Sequence, residues 1–435
     1  MRKIILLSAG IVLTIGLISA IAVYRTHLRG VWPAFSQPEQ DIVQLLEEST
    51  STPIETPRTQ TKTQEPEQQS QGPLILPRGF FISIFAKDLA DPRVLAFDPN
   101  GILLASITAQ GKVVALIDKN NDGKSEETRV IANGLNRPHG IAVECVQNAC
   151  KLYIAENDKV SGFDYALATL TATQKRVIAP LPTGGGHFTR TLLPYGNSLL
   201  VSVGSSCNVC VETDQNRAKI LEIDIASGGV KTFATGLRNA VFMAFHPFTR
   251  EIWATEMGRD LLGDDTPPDE INIIKKDANY GWPICYGKNI HDTGFDKNTY
   301  IRNPCMEPFE TQSYIDIPAH SAPLGLAFIP DSWPAEYRND LLIAYHGSWN
   351  RSVPTGYKIV RMKLDANGTY QGVEDFITGW LVLSSAEGFT PSEVEGLIKN
   401  SAALGRPVDI LFASSGTAYI SDDKAGVIYR LQPPK

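Results

Sequence analysis

Apolar positions recur in a short unit from residue 74 onward. The unit is a strand pattern in which apolar and small or polar residues alternate, then a turn, then a second strand pattern. The alternation of β-branched and aromatic residues predicts strands, and interruptions such as DPNG and PYGN predict the turns of hairpins. The six copies lie at residues 91–106, 137–156, 189–205, 238–256, 322–348 and 406–423.

Further strand patterns follow the repeated hairpins and bring the number to about four strands per unit. They include residues 111–118, 218–225, 357–365 and 426–433. Units of roughly 50 residues are typical of β-propeller blades, each of which covers the apolar face of its neighbour. The sequence therefore predicts an all-β fold, a six-bladed β-propeller over residues 74–435. A β-sandwich is the alternative, but it does not account for six similar hairpins.

The fourth and fifth repeat intervals are much longer than the others. We therefore expect insertions at about residues 259–320 and 366–405, placed as loops on one face of the propeller.

The N-terminal region has a different pattern. Two basic residues precede an uncharged apolar run of 21 residues, 4–24. As a helix rising about 1.5 Å per residue, this run spans roughly 30 Å, the thickness of a bilayer core. It predicts a membrane anchor within residues 1–30, with the propeller held outside the cytoplasmic membrane. A cleaved signal peptide with its site at residues 20–22 is the alternative, and it predicts a secreted protein. Residues 31–73 are rich in Pro, Gln, Thr, Ser and Glu and predict a flexible linker.

The overall composition is that of a globular protein with a sizeable core, since 43% of the 435 residues are hydrophobic. The net charge of −7 argues against a nucleic-acid partner, because neutralising phosphates requires a basic face. Cysteines that lie close together in an exported chain predict disulfides. The three predicted pairs are Cys145–Cys150, Cys207–Cys210 and Cys285–Cys305.

One histidine stands in the unusual local sequence GGGHFTRTLL, residues 184–193. Imidazole accepts a proton near neutral pH, so His187 is a candidate general base. Arginine forks suit carboxylates or phosphates, whereas carboxylates and backbone carbonyls suit calcium. The candidates of these two kinds are Arg190, Arg238, Arg351, Arg406 and the acidic loop 258–270.

Each candidate also has a structural interpretation, since single histidines and arginines often serve the fold and acidic loops are often only solvated. Their spacing along the chain favours a shared site. Loops that leave equivalent strands of a propeller converge at one end of its central channel, so we expect these residues to lie close together.

Several motifs resemble the family of pyrroloquinoline quinone-dependent sugar dehydrogenases, which includes soluble glucose dehydrogenase and aldose sugar dehydrogenase. The motifs are NRPHG (136–140), GGGHFTRTL (184–192), GLRNAVFMAFHP (236–247) and DEINIIKKDANYGWP (269–283). Two further motifs are most similar to the sorbosone and pyranose dehydrogenase branch, namely HGSWNRS (346–352) and GRPVDILF with SDDKAGVIYRL (405–412, 421–431). The resemblance covers about residues 74–433.

This resemblance implies a six-bladed propeller that binds pyrroloquinoline quinone and Ca²⁺. It implies that His187 removes the proton of the sugar C1 hydroxyl while hydride passes to the quinone. Arg238 and Asn239 match the pair that contacts the cofactor. The predicted metal residues are Gly258, Arg259, Asp269 and Tyr280. Further predicted cofactor-binding residues are Arg190, Asn350, Arg351 and Arg406.

The chain departs from soluble glucose dehydrogenase in two places. The loop between Gly258 and Asp269 is longer, and Arg259 replaces a proline. Arg351 and Arg406 are assigned by their place in the branch motifs and by charge, because the cofactor-binding lysine and arginines of later blades have no clean match.

The sequence thus predicts an oxidoreductase that oxidises the C1 hydroxyl or aldehyde of a sugar. Cys207-x-x-Cys210 is not followed by histidine, so the chain has no c-type haem attachment, and electrons must pass to an external acceptor such as a membrane quinone or a cytochrome. Two alternatives remain: a calcium-dependent propeller lactonase or other hydrolase, and a non-catalytic propeller that binds a glycan or a protein.

Overall fold

The computed structural model describes residues 16, 31–38, 40–51, 68–147, 149–382 and 402–434. Within these residues, six four-stranded antiparallel sheets follow one another around a ring. The structure confirms the predicted six-bladed propeller, and each repeated hairpin forms the first two strands of a blade.

The first three blades are continuous in sequence, with the innermost strand first. Blade 1 consists of β4 (Pro92–Phe97), β5 (Leu103–Ile107), β6 (Lys112–Ile117) and β7 (Glu127–Ala132). Blade 2 consists of β8 (Ile141–Val146), β9 (Ala149–Ala155), β10 (Lys159–Ala166) and β11 (Thr171–Pro180). Blade 3 consists of β12 (Leu192–Tyr195), β13 (Ser198–Val203), β14 (Lys219–Asp224) and β15 (Val230–Thr235).

The last three blades include the two insertions and the ring closure. Blade 4 consists of β16 (Ala240–Phe245), β17 (Ile252–Glu256), β18 (Asp269–Ile274) and β21 (Ile315–Ile317). Blade 5 consists of β22 (Pro323–Phe328), β23 (Leu341–Tyr345), β24 (Lys358–Leu364) and β25 (Tyr370–Ile377). Blade 6 consists of β28 (Pro407–Phe412), β29 (Ala418–Asp422), β30 (Val427–Gln432) and β3 (Phe81–Ala86).

Smaller elements lie outside the blades. Three two-stranded sheets are β1–β2 (Gln68–Gln71, Leu74–Pro77), β19–β20 (Cys285–Tyr286, Ile290–His291) and β26–β27 (Leu381–Val382, Ala402–Ala403). Within residues 31–38, 40–51 and 68–382, the helices include α1 (Trp32–Phe35) and α2 (Ile42–Ser51), and short 3₁₀ helices cover Thr108–Gln110 and Ala335–Tyr337.

Burial falls from the inner strands of each blade to the outer strand. Every residue of β5, β13, β17 and β23 is buried, because neighbouring blades cover both faces of these strands. The outermost strand β11 is mostly exposed. These strands are therefore mostly apolar or small on both faces, with buried polar exceptions such as Ser202 and Glu256.

The ring closes by pairing the two ends of the propeller. β3 lies beside β30, with Phe81 opposite Gln432 and Ile82 opposite Leu431. An N-terminal strand thus completes the last blade, and the ring leaves no blade with a missing outer strand.

Two parts of the segment predicted as a flexible linker instead form regular structure on the propeller. Ile42, Val43 and Leu46 of α2 are buried in the apolar core that blade 6 contributes to. In β1, the side chains of Gln69 and Gln71 bond to the main chain of residues 79–82. The polar composition of this segment gave no sign of the short apolar face of α2. It also gave no sign that the amides of two glutamines would bond to the main chain. Residues 52–67 of the predicted linker lie outside the described part of the chain.

The predicted membrane anchor also lies outside the described residues, apart from residue 16. Among the residues that are described, no helix has the length and apolar character needed to cross a bilayer.

All three predicted disulfides are present: Cys145–Cys150, Cys207–Cys210 and Cys285–Cys305. The first clips the β8–β9 hairpin and the third ties down the insertion of blade 4. The second lies in a loop of the candidate site.

Candidate active site

Two sets of loops lie at one end of the ring, here called the pocket face. Because strands within a blade are antiparallel, the loop from the second to the third strand emerges at the same end as the connection to the next blade. The first set is 108–111, 156–158, 204–218, 257–268, 346–357 and 423–426. The second set is 87–91, 133–140, 181–191, 236–239 and 318–322, together with the described parts of 378–406. His187 and all of the predicted arginines lie in these loops.

A pocket of about 520 Å³ opens on the pocket face between blades 3, 4 and 5. This volume falls within the roughly 300–1,000 Å³ typical of small-molecule sites. Its polar and aromatic lining consists of His187, Asn208, Arg238, Asp260, Asp269, His320, Trp349 and Asn350. The structure thus brings together residues from six loops that are distant in sequence.

His187 has one ring nitrogen fixed by the protein. Its Nδ1 lies 2.9 Å from the carbonyl oxygen of Ser205 and 3.0 Å from the hydroxyl of the same residue. A carbonyl oxygen only accepts, so Nδ1 carries the proton and Nε2 keeps its lone pair. Burial, and after it the nearby charge of Arg238, lower the pKa of His187 to about 3. The imidazole is therefore neutral at physiological pH, with Nε2 free to accept a proton.

The glycines before His187 shape the turn of its loop. Gly184 and Gly185 adopt positive φ values of 80° and 78°, which favour glycine. A Cβ on Gly185 would lie 2.5 Å from the Cα of Ser206. Of the three glycines that precede His187, only Gly186 lines the pocket. The tight turn, rather than a close approach to a ligand, accounts for the first two glycines.

Arg238 borders the pocket with all five of its N–H groups bonded to protein. Nε donates to the carbonyl of Asn208 at 2.9 Å, and Nη1 donates to the carbonyls of Met257 (3.3 Å) and Gly258 (2.9 Å). Nη2 donates to the side chain of Asn208 at 2.9 Å and to Asp260 Oδ2 at 3.0 Å. Its guanidinium supplies positive charge at a fixed place, and any direct bond to a ligand would replace one of these partners.

Asp260 and Asn350 form a second contact across the pocket. Asn350 Nδ2 donates to Asp260 Oδ1 at 2.6 Å, while Asp260 Oδ2 pairs with Arg238. The carboxylate of Asp260 therefore links blade 4 to blade 5 and to the connection that carries Arg238.

Gly258 and Asp269, two of the four predicted metal residues, line the pocket but are occupied by protein contacts. The carboxylate oxygens of Asp269 accept from the backbone N–H groups of Gly258 and Ala322, each at 2.8 Å. Burial raises the pKa of Asp269 to about 7, against the lowering effect of these bonds. The carbonyl of Gly258 accepts from Arg238.

The other two predicted metal residues point elsewhere. The guanidinium of Arg259 pairs with Asp292 of the blade 4 insertion, at 3.2 Å. Tyr280 is packed in the apolar core, and its hydroxyl donates to the carbonyl of Ile273 at 2.6 Å. The four residues therefore do not form a calcium ligand set. The carbonyl of Gly258 accepts a hydrogen bond from Arg238, and a calcium ion needs six to eight oxygen ligands.

Three predicted cofactor-binding arginines are directed at backbone carbonyls instead of the pocket. Arg190 is fully buried and donates to the carbonyls of Pro182, His187 and Thr189, so it holds the loop that carries His187. Arg351 donates to the carbonyls of Asp264 and Ala319 and pairs with Asp265. Arg406 donates to the carbonyls of His346 and Gly347.

Asn239, also predicted to contact the cofactor, lies behind the pocket wall. Its backbone N–H donates to Glu256, and its amide lies 3.4 Å from the sulfur of Met257. Gly204 separates it from His187, since a Cβ on Gly204 would lie 2.6 Å from both Asn239 Oδ1 and His187 Cβ.

Several lining residues were not named as site residues from the sequence, among them Asn208 and His320, whereas Asp260 and Trp349 lie in the acidic loop 258–270 and the motif 346–352. His320 enters the fifth hairpin two residues before the repeat begins, the same place that His187 has in the third. The position in the repeat was therefore a signal for His320. Its Nε2 donates to the carbonyl of Gly263 at 2.7 Å.

The pocket combines an aromatic face with charged side chains. Trp349, with 43% of its surface exposed, offers the aromatic face. The charges of Arg238, Arg190 and Arg217 lower the pKa of His187, and the carboxylates Asp260 and Asp269 also line the pocket.

The chain is similar to several known proteins. The sequence model of a family described as TrAA12-like matches residues 74–434. An uncharacterized protein of Borreliella burgdorferi is 32% identical over 376 residues, which cover 82% of this chain and 90% of that protein.

Two further relatives carry descriptions of their activity. The pyrroloquinoline quinone-dependent pyranose dehydrogenase of Coprinopsis cinerea is 25% identical over 410 residues, which cover 81% of this chain but only 53% of that enzyme. The structure of the holo pyranose dehydrogenase PQQ domain from the same organism superposes with a TM-score of 0.66 at 22% identity, covering 85% of this chain and 98% of that domain. This last likeness shows the fold.

Proposed function

The chain belongs to the TrAA12-like family, and on this premise we propose that it is an exported, pyrroloquinoline quinone-dependent dehydrogenase that oxidises the C1 hydroxyl or aldehyde of a sugar. The names of the Coprinopsis cinerea relatives support the cofactor and the substrate class. The observation that carries the proposal is the state of His187 beside a cationic pocket.

His187 is the proposed general base. With Nδ1 bonded to the Ser205 carbonyl, Nε2 accepts the proton of a substrate hydroxyl placed in the pocket. The low pKa keeps the imidazole neutral, and the bond to Ser205 fixes its orientation.

Arg238 and Trp349 are the proposed cofactor contacts in this pocket, with Asn350 at its edge. The guanidinium of Arg238 attracts a carboxylate or quinone oxygen, and the Trp349 ring packs against a flat ring system. When bound, pyrroloquinoline quinone supplies a two-electron acceptor for the hydride of the substrate carbon.

We propose no step through calcium, because Gly258 and Asp269 already accept protein hydrogen bonds and Arg259 and Tyr280 point away from the pocket. Arg190, Arg351, Arg406 and Asn239 are proposed to hold the loops of the site rather than to touch the cofactor.

The proposal extends to the cellular setting. Three disulfides are typical of an oxidising compartment, so we propose that the propeller lies outside the cytoplasm, anchored through residues 4–24. Electrons leave to an external acceptor, since the sequence has no haem-attachment motif.

The test is reconstitution of the purified full chain with pyrroloquinoline quinone, with and without calcium, followed by dye reduction with a panel of aldoses. We expect micromolar or tighter cofactor binding and sugar-dependent dye reduction. No binding at micromolar concentration contradicts the proposal. Lactone hydrolysis by the cofactor-free protein would instead favour the lactonase alternative, and glycan binding unaffected by the cofactor would favour a non-catalytic propeller.

A further inference from the structure

One segment of the pocket wall contacts both His187 and Arg238. Residues 205–210 lie in the loop between β13 and β14, and the Cys207–Cys210 disulfide closes this loop across three residues. Cys207 and Asn208 line the pocket. The segment bonds to His187, Arg238 and Asp260.

Asn208 makes four hydrogen bonds to two other segments. Its backbone carbonyl and its side-chain oxygen each accept from Arg238 at 2.9 Å. Its side-chain oxygen also accepts from the backbone N–H of Asp260 at 2.7 Å, and its Nδ2 donates to the backbone carbonyl of Asp260 at 2.9 Å. The side chain of Asn208 therefore fixes Arg238. It also bonds to both the N–H and the carbonyl of the Asp260 backbone, as a neighbouring strand would.

The same segment also holds the proposed base. The carbonyl and hydroxyl oxygens of Ser205 face Nδ1 of His187. The Ser205 hydroxyl in turn donates to the carbonyl of Cys207 at 2.7 Å. The carboxylate of Glu212 accepts from the backbone N–H of Ser206 at 2.6 Å and from its hydroxyl at 2.8 Å, which anchors the start of the segment.

The disulfide restricts the residue that makes these contacts. Asn208 lies between the two cysteines, so the cross-link limits the conformations of a loop that is otherwise free of strand pairing. Without it, the four bonds of Asn208 must order the loop unaided.

We propose that Asn208 is a positioning residue of the site, which sets Arg238 and Asp260 relative to His187, and that the Cys207–Cys210 disulfide keeps it in place. The proposal rests on the function proposed above for His187 and Arg238. It makes the cofactor affinity of the protein dependent on one particular disulfide.

The first experiment compares Asn208→Ala with Asn208→Asp in the full chain. Alanine removes three side-chain bonds, and we expect the Kd for pyrroloquinoline quinone to rise at least tenfold. Aspartate keeps both acceptor bonds, to Arg238 and to the Asp260 N–H, but it places an oxygen opposite the Asp260 carbonyl and adds a negative charge, so we expect it to recover only part of the affinity. Equal affinities for Asn208→Ala and the wild type would overturn the proposal, and so would equal losses in the two variants.

A second measurement uses cofactor-free protein and does not depend on activity. The imidazole of His187 faces Arg190, Arg217 and Arg238, while the other titratable groups of the pocket are Asp260, Asp269 and His320. Displacing the Arg238 guanidinium removes a positive charge, so Asn208→Ala should raise the pKa of His187 in an NMR titration. An unchanged His187 pKa means that Asn208 does not position Arg238. If the wild type binds no cofactor, the proposed function fails, but this titration still decides the positioning.

The disulfide has a matched control in the same chain. The double variant Cys207→Ser/Cys210→Ser should raise the Kd for the cofactor at least tenfold. Cys145→Ser/Cys150→Ser removes another short-range disulfide, from the β8–β9 hairpin, and should leave the Kd unchanged. Equal effects of the two double variants would overturn the role of the disulfide. Thermal unfolding confirms that each variant is folded; if Asn208→Ala does not fold, the double variants and Asn208→Asp carry the test.

Discussion

The pocket face holds two buried groups of charged side chains, and they differ in what surrounds them. In the pocket, the Arg238–Asp260 ion pair borders a cavity of about 520 Å³. Where blades 5, 6 and 1 meet, a second group, here called the closed cluster, consists of Arg93, His346, Arg406 and Asp423. Asp423 accepts from both Arg93 and His346, and the side chains of all three are no more than 12% exposed.

The comparison shows that a buried arginine on this face does not by itself identify a ligand site. In the closed cluster, burial raises the pKa of Asp423, but the hydrogen-bonded His346 and the charges of Arg93 and Arg406 bring it well below its usual range. There Asp423 is bonded to Arg93 and His346, and Arg406 is bonded to backbone carbonyls. In the pocket, the cations around His187 outnumber the ionised groups that face them, so charge is left for a ligand.

The largest effect is expected from removing the proposed base. His187→Ala should lower kcat roughly 100- to 10,000-fold, the usual contribution of a general base. The Kd for the cofactor should change little, because the side chain is small beside the cofactor contacts. In the closed cluster, His346→Ala should reduce thermal stability and leave kcat of the folded protein close to wild type. Steady-state kinetics and cofactor titration on both variants make the comparison, and equal kcat losses would contradict it.

A smaller effect is expected from the arginines. Arg238→Ala removes charge-assisted bonds worth about 1.5–3 kcal/mol and leaves Asp260 unpaired, so the Kd for the cofactor should rise roughly 10- to 100-fold. Arg406→Ala removes bonds to backbone carbonyls, a contact with the Tyr357 ring and a charge near Asp423, so it should lower the free energy of unfolding without weakening cofactor binding. Calorimetric titration together with denaturant unfolding separates the two. A larger change of the cofactor Kd in Arg406→Ala than in Arg238→Ala would indicate that Arg406 contacts the cofactor.

Two glycines provide a finer comparison. In Gly204→Ala the new methyl group would lie 2.6 Å from both His187 Cβ and Asn239 Oδ1, so the base must shift, and we expect kcat to fall roughly tenfold. In Gly405→Ala it would meet the carboxylate of Asp422 beside the closed cluster, and only stability should fall, by about 1–3 kcal/mol. Kinetics and thermal unfolding measured on the same preparations check both results.

The smallest expected effect concerns the protonation of His187 and His346, neither of which should titrate near neutral pH. The pKa of His187 is lowered to about 3 and that of His346 to about 4, in both cases chiefly by burial. Neither ring should therefore take up a proton between pH 5 and pH 8 in NMR spectra of cofactor-free protein. In Arg238→Ala the pKa of His187 should rise, because a neighbouring cation is lost, while His346 should not respond. A response of His346 would mean that the two regions are coupled.

The fold was predictable because each blade repeats the same physical problem. Two inner strands need apolar side chains on both faces, and the hairpin turns need residues such as DPNG, so the pattern recurs wherever a blade begins. The segment before the propeller gave a weaker signal. The buried face of α2 consists of Ile42, Val43 and Leu46 in an otherwise polar stretch, too few residues to stand out from their surroundings.

The site was predictable in part, for a related reason. The strand topology, which the repeat pattern predicts, places His187, Arg238 and Arg406 at the same end of the ring. The sequence does not predict the direction of each guanidinium, because that direction depends on contacts with loops distant in sequence. Arg238 faces the cavity because Asn208 and Asp260 hold it there, and Arg406 faces away because the carbonyl of His346 receives it.

The chain enters the propeller across the pocket face. Lys424, in the loop between β29 and β30, donates to the backbone carbonyls of Ala34 and Ser36, so the segment around α1 lies on that face. Six residues, which span at most roughly 20 Å, separate the apolar run 4–24 from residue 31. Under the anchoring proposed for that run, this short connection would keep the edge of the pocket face at blade 6 close to the membrane.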